Sequence, residues 1–177
     1  MSQSRRLAAI LAADVAGYSR LMGEDEGGTL KRLAAIRADV TDPTITEHHG
    51  RIVKTMGDRL LVEFASVVDA LHCASEVQPA MAERSAAIAS DSRIEFRIGV
   101  HQGDVVEDGD IFGDGVNVAA RLEALADPGG ICVSTRVQED AAGKLDLTFA
   151  DICEQLLKNI ARPVHVIGCA RGAMPLR

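Results

Sequence analysis

Residues 51–64 read RIVKTMGDRLLVEF, two β-rich runs on either side of Met56-Gly57-Asp58. Val, Ile, Leu and Phe suit a pleated, half-buried surface, and a glycine at the junction lets the chain reverse without steric cost. The stretch is read as a β-hairpin with Asp58 at its tip. A hairpin pairs its strands antiparallel, whereas parallel neighbours need a crossover of about a dozen residues, so a doubly wound parallel sheet is set aside.

Upstream, the spacing of Leu30, Leu33, Ile36, Val40 and Ile45 predicts an amphipathic helix from Glu24 to about His48. Pro43 should kink or interrupt it, and Gly50 should stop it. Before it, Leu7 to Ala13 is a continuous apolar run, suited to a central strand covered on both faces, with Asp14 at its carboxyl end. Downstream, residues 66–90 are Ala-rich with Val67, Leu71, Val77 and Met81 at helical spacing, the last turns loosened by Pro79 and SAAIAS. RIEFRIGVHQGDVV, residues 93–106, reads as a strand with a turn or bulge at Gly103-Asp104. A helix from Val116 to Ala126 ends at Asp127-Pro128-Gly129-Gly130, and strands follow at Ile131 to Ser134, Leu147 to Phe149 and Pro163 to Ile167. The order strand, helix, hairpin, helix, strand predicts an α+β fold with helices on one face of a mainly antiparallel sheet.

The 177 residues are enough for one domain, expected over 1–170 with a loose tail at 171–177. A composition of 47% hydrophobic but 3% aromatic residues, with no Trp, calls for a core of Ala, Leu, Val and Ile. With 19 Lys and Arg against 26 Asp and Glu, the net charge of −7 argues against a surface built for nucleic acid. A small anion is still possible, provided metal ions or a local group of donors screen it. Cys73, Cys132, Cys153 and Cys169 lack CxxC spacing and are expected to be buried thiols rather than zinc ligands. No run approaches the roughly 18 apolar residues of a membrane span. Arg5-Arg6 followed by LAAILAA imitates a signal peptide, but Asp14 ends the run at the bare minimum length, so a cytoplasmic protein is expected.

Four blocks carry a resemblance: AADVAGYSRLM at 12–22, VKTMGDRLLVEF at 53–64, RIGVHQGDVV at 97–106, and DIFGDGVNVAARLEALADPGGICVS at 110–134. In this order they resemble the catalytic domain of the class III nucleotidyl cyclases, adenylate and guanylate cyclase. The match runs from about Arg6 to about Val166. It implies a ferredoxin-like core, an antiparallel homodimer with both active sites between protomers, and conversion of a nucleoside triphosphate to a 3′,5′-cyclic monophosphate and pyrophosphate.

The resemblance assigns Asp14 and Asp58 to two divalent cations, Mg²⁺ or Mn²⁺, which suit oxygen ligands and an in-line attack of the ribose 3′-oxygen on the α-phosphorus. Taken alone, the two aspartates would be ordinary turn residues. Gly17, Tyr18 and Ser19 stand where a strand turns into a helix, so their backbone N–H groups could cradle the triphosphate; the plainer alternative is a turn with Ser19 as N-cap. Lys54 and Asp110 match the purine-reading positions. Lys only donates and ionised Asp only accepts, a pattern that fits N1 and N6 of adenine, so ATP is the expected substrate.

Asn117 and Arg121 lie four apart on one helix face, and in the family the Asn orients the ribose while the Arg steadies charge on the α-phosphate. Without the family, Arg121 paired to Glu123 or Asp127 on a solvated face is the simpler reading. QLLKNIARPV resembles the family's C-terminal strand region and offers Lys158 as a further triphosphate contact. The family takes the two aspartates from one protomer and Lys54, Asp110, Asn117 and Arg121 from the other.

Arg59 departs from the pattern, since Gly is frequent there in bacterial relatives, and so does Cys153, which also stands where Gly is common. His48-His49 is read as a helix C-terminus rather than a metal pair, and His101 as a satisfied sheet residue rather than a base. The competing functions are a silent regulatory or dimerisation module of the same fold, guanylate cyclase activity, and a different metal-dependent phosphoryl-transfer reaction. A fused or separate regulatory domain is compatible with all of them.

Overall fold

The computed structural model describes residues 4–107, 111–141, 144, 147–155 and 164–171. Strands β1 (Ser4–Val15), β2 (Arg51–Met56), β3 (Arg59–Phe64), β4 (Phe96–Glu107), β5 (Ile111–Phe112), β6 (Ile131–Ser134), β7 (Leu147–Gln155) and β8 (Val164–Arg171) form one sheet. Its order is β2-β3-β1-β4-β6-β8-β7, with β5 paired to β4. Every pairing is antiparallel except β4 with β6. The helices are α1 (Tyr18–Glu24), α2 (Glu26–Ile36), α3 (Asp42–Glu47), α4 (Val67–Ser85), α5 (Asp114–Leu125) and α6 (Thr135–Ala141). The β1-helices-β2-β3-α4-β4 half is the ferredoxin-like arrangement, with β1 between β3 and β4.

The apolar run at the N-terminal end is the central strand. Ala8 to Val15 are buried on both faces, as the absence of alternation required. Odd-numbered Ala9, Leu11, Ala13 and Val15 join α2, α3, α4 and α6 in the larger core, through Leu33, Ile36, Ile45, Leu71, Val77 and Val137. Even-numbered Ala8, Ile10 and Ala12 meet Ala119 of α5. Alternation along one strand thus divides the molecule into two layers. This corrects the expectation of helices on one face, because α5 covers the other.

Further differences are local. The helical region starts at Tyr18 and breaks at Asp25, whose side chain accepts from Gly28 N–H at 3.0 Å and caps α2. Pro43 marks the expected break in the helical run. It sits in the first turn of α3, behind a π-helical segment at Arg37–Thr41 that absorbs the change of register. Leu30, placed by its spacing on the core stripe, is exposed. Pro79 lies within α4, which runs from its Ser66 cap to Ser85 before SAAIAS leaves the helix. Gly103-Asp104 is neither turn nor bulge, since β1 and β4 pair without a break from Ser4↔Glu107 to Val15↔Phe96. A glycine suits this point because Gly115 of α5 packs on it: a Cβ at Gly103 would lie 3.1 Å from Gly115 Cα, a tight approach. Near Cys153 the register of β7 against β8 does shift, between Asp151 and Cys153. Cys73 and Cys132 are buried free thiols, and burial raises their pKa to about 12 and about 11. Arg171 ends β8, and 172–177 lie outside the described residues. Among the described residues no helix is long and apolar enough to cross a membrane.

His101 does tie the sheet together. Its Nδ1 lies 2.7 Å from Ser134 Oγ on β6, and burial first, then the charge of Arg136, lowers its pKa from 6.5 to about 4. The neutral ring therefore stabilises the fold above about pH 6.5, and that contribution falls as pH drops toward 4. Between pH 7 and pH 5 the wild-type protein should lose about 1–2 kcal/mol more than His101→Gln, read from urea midpoints; equal losses would contradict this assignment.

Candidate active site

The β2–β3 hairpin is closed by Gly57 and Asp58 between the paired residues Met56 and Arg59. Gly57 has φ 61°, the left-handed region that a first turn position demands of glycine. The tip folds over the end of β1, where the Asp58 carboxylate accepts a hydrogen bond from Val15 N–H at 3.1 Å. Asp14, the preceding residue, is buried and turns to the α5 side. Two aspartates 44 positions apart are thus brought to one strand end, as their sequence contexts predicted.

Two further groups complete this cluster, and neither was identified from the sequence. Asp14 and Arg97 are cross-strand partners on β1 and β4, and the guanidinium grips the carboxylate with both arms, at 2.9 and 2.6 Å. That hydrogen bond, ahead of the charges of Asp14, Glu123 and Asp58, pushes the Arg97 pKa further up. Glu123 of α5 is buried, with Oε1 3.9 Å from Arg97 and without a hydrogen-bond partner. Burial first, then its hydrogen bond with Asp14 and the charge of that group, raises its pKa, while Arg97 and Arg59 oppose the rise. Glu123 therefore points inward, away from the pairing with Arg121 that a solvated face would give.

A cleft of about 170 Å³ opens beside this cluster, lined by Lys54, Met56, Arg59, Val116, Ala120 and Glu123 among others. Lys54 reaches it from β2, where a bulge between Ile52 and Lys54 resets the strand. Arg59 lies on the same cleft, a cation near Glu123 where a glycine was the expected residue. On α5, Val118, Ala119 and Leu122 face inward while Asn117 is exposed and Arg121 half-buried, so the two polar residues share the outward side. The helix lies close to the sheet at Gly99, where a Cβ would collide with the backbone of Ala119 and Glu123.

Gly17, exposed, caps α1 without a side-chain bond, and Ser19 lies inside that helix, so it is not the N-cap. Tyr18 packs against the larger core, with its ring 4.0 Å from where a Cβ on Gly57 would be. Gly17–Ser19 and the hairpin tip are therefore neighbours. Asp110 and Lys158 lie outside the described residues.

Compared with known proteins, residues 1–157 match the profile of the adenylate and guanylate cyclase catalytic domain. The chain belongs to this cyclase family. A putative adenylate cyclase 3 of Rhizobium meliloti is 52% identical over 163 residues, which cover 92% of this chain and 28% of that protein. An adenylate cyclase of Streptomyces coelicolor is 31% identical over 137 residues, covering 77% of this chain and 34% of that one. The chain thus spans about a third or less of these two relatives. Among solved structures, an adenylate/guanylate cyclase/hydrolase from Silicibacter pomeroyi superposes with TM-score 0.87 at 48% identity, over 96% of this chain and 99% of that one. The adenylyl cyclase CyaB from P. aeruginosa, at 21% identity and TM-score 0.83 over the full length of both chains, shares the nucleotide cyclase fold.

Cyclase domains of this family are in general metal-dependent, and the acidic corner suits a hard cation. Its side-chain donors are carboxylate oxygens, from Asp14, Asp58 and Glu123, the ligand type of a hard cation, although the three do not gather within 4.8 Å of one another and Arg97 holds both Asp14 oxygens.

Proposed function

We propose that this chain is an adenylate cyclase catalytic domain that turns ATP into 3′,5′-cyclic AMP and pyrophosphate, with each active site shared by two protomers. The observation that carries the reading is the meeting of Asp58 with the end of β1 beside Asp14. It sets two carboxylates next to the Lys54 cleft.

Asp14 and Asp58 are the residues that would hold two Mg²⁺ or Mn²⁺ ions. Such ions would neutralise charge on the triphosphate and favour ionisation of the ribose 3′-hydroxyl. The protein's own groups do the positioning. Backbone N–H groups of Gly17, Tyr18 and Ser19, next to the hairpin tip, face the β- and γ-phosphates, and Lys158 adds a cation there. In the second protomer Lys54 donates to adenine N1 and Asp110 accepts from N6. Guanine would set an N1–H against Lys54 and O6 against Asp110, a mismatch of about 1–3 kcal/mol for each buried contact.

Asn117 orients the ribose and Arg121 meets the charge that grows on the α-phosphate, both from the outward side of α5. In this reading a partner protomer brings both residues to the acidic corner, as the family pattern implies. No covalent intermediate is needed, because the residues offer alignment and electrostatics rather than an activated nucleophile.

The test is incubation of the protein with ATP or GTP plus Mn²⁺ and identification of products by mass. Cyclic AMP and pyrophosphate from ATP, with GTP the poorer substrate, is the expected outcome. ADP or AMP would instead mark a hydrolase, preferential cyclic GMP a guanylate cyclase, and nucleotide binding without turnover a regulatory module.

A further inference from the structure

On the sheet face opposite Asp14, the end of α3 meets α4 through a second group of ligand-type side chains. Among the described residues, Glu47, His48 and Glu76 are the only three of His, Cys, Asp or Glu whose ligand atoms all lie within 4.8 Å of one another. We propose that they form a second cation site, for a borderline divalent ion of the zinc type, which clamps α3 to α4.

The chain ending α3 is held firmly. Gly50 N–H bonds to Ile45 O at 2.8 Å and His49 N–H to Thr46 O at 3.1 Å, around a left-handed His49 at φ 63°. The expected helix-terminus role of His48-His49 is therefore correct for the backbone, and it leaves the His48 ring free to turn toward α4. There His48 Nε2 is buried and 2.9 Å from Glu76 Oε2, yet it has no hydrogen-bond partner. The contact is close, but its direction does not suit an N–H donated to oxygen. Protonated, the ring is the carboxylate's ion-pair partner; neutral, its nitrogen and the carboxylate oxygen are both ligand atoms that a shared cation can draw together. Glu47, exposed at the end of α3, supplies the third oxygen. His72, four residues before Glu76 on α4, stacks on His48 with ring centroids 5.7 Å apart and planes 4° from parallel, which fixes the ring orientation.

One imidazole nitrogen with two carboxylates selects zinc-like ions, whereas the all-oxygen corner at Asp14 and Asp58 selects magnesium-like ones. Ile45, Leu71 and Cys73 around the second group pack with the odd-numbered residues of β1. The sheet therefore separates the two sites. The inference does not depend on which nucleotide is used, or on turnover.

Titration of Zn²⁺ by calorimetry, and of Co²⁺ by visible absorption, into the full chain carrying Asp58→Asn separates the sites. One equivalent should bind with the absorption of a nitrogen-ligated Co²⁺ centre, and His48→Gln or Glu76→Gln should weaken it at least tenfold with circular dichroism unchanged. Glu47→Gln, at an exposed position, should also weaken it, and its effect cannot be put down to unfolding. The proposal is overturned if no saturable equivalent binds, or if these variants bind as the parent does. It is equally overturned if the equivalent seen in wild type vanishes on Asp58→Asn alone.

Discussion

The Asp58→Asn protein should form cyclic AMP about a thousandfold more slowly than wild type while unfolding at nearly the same urea concentration. The substitution is chosen because the amide keeps an oxygen that can accept from Val15 N–H, the bond that seats the hairpin tip on β1. What it removes is one negative charge at the cation site, and a loss of about 4 kcal/mol of transition-state stabilisation corresponds to the thousandfold change. Asp58→Ala would mix that effect with the loss of the tip's anchor. A protein whose rate is unchanged by Asp58→Asn at saturating metal would deprive Asp58 of its role; one that unfolds instead would make Asp58 a structural residue.

Gly99→Ala should have the largest structural effect of a methyl added at any of the described glycines. At this point of β4 the helix α5 rests directly on the strand, and the added Cβ would fall 2.9 Å from Glu123 Cα and closer still to the Glu123 amide and the Ala119 carbonyl. Backbone atoms cannot rotate away as a flexible side chain can. The helix must lift or the strand must bend, at a cost of about 3 kcal/mol, the upper end of the usual range for overpacking. Because α5 carries Asn117, Arg121 and Glu123, activity should fall with stability, and circular dichroism melting with a cyclase assay reads both. Adding the same methyl at Gly23 or Gly27, where nothing lies within 4 Å, meets no such obstacle. A Gly99→Ala protein as stable as wild type would show that α5 is not packed this closely.

The parts legible in the sequence were those set by local pattern. The hairpin at Gly57-Asp58, the unbroken apolar run of β1, and the helices headed by Ser66 and ended by Asp127-Pro128-Gly129-Gly130 each follow from propensity within a few residues. Asp14 and Asp58 stood out as candidates because both lie at strand ends in recognisable blocks. Arg97 was missed because its partner is set by the pairing of strands 83 residues apart; taken alone, it reads as one more polar residue on a strand.

Glu123 did leave a signal. It lies four residues after the buried Ala119, so helical geometry puts a carboxyl on the inner side of α5, where only a partner can justify it. The placement of α5 on the second face was equally implicit in β1, whose two faces are both apolar and must both be covered. Short α6 escaped because a seven-residue helix carries too few turns to show a period.

Equal amounts of Asp14→Ala and Arg121→Ala proteins, each with verified folding and dimerisation, should be inactive alone and regain activity when mixed. In an isologous dimer the mixed pair has one site carrying both changes and one carrying neither, so random exchange should restore about a quarter of wild-type cyclic AMP formation. Recovery to that level is what a site completed by the neighbouring chain predicts. Two inactive proteins that stay inactive together, although they exchange subunits, would contradict it.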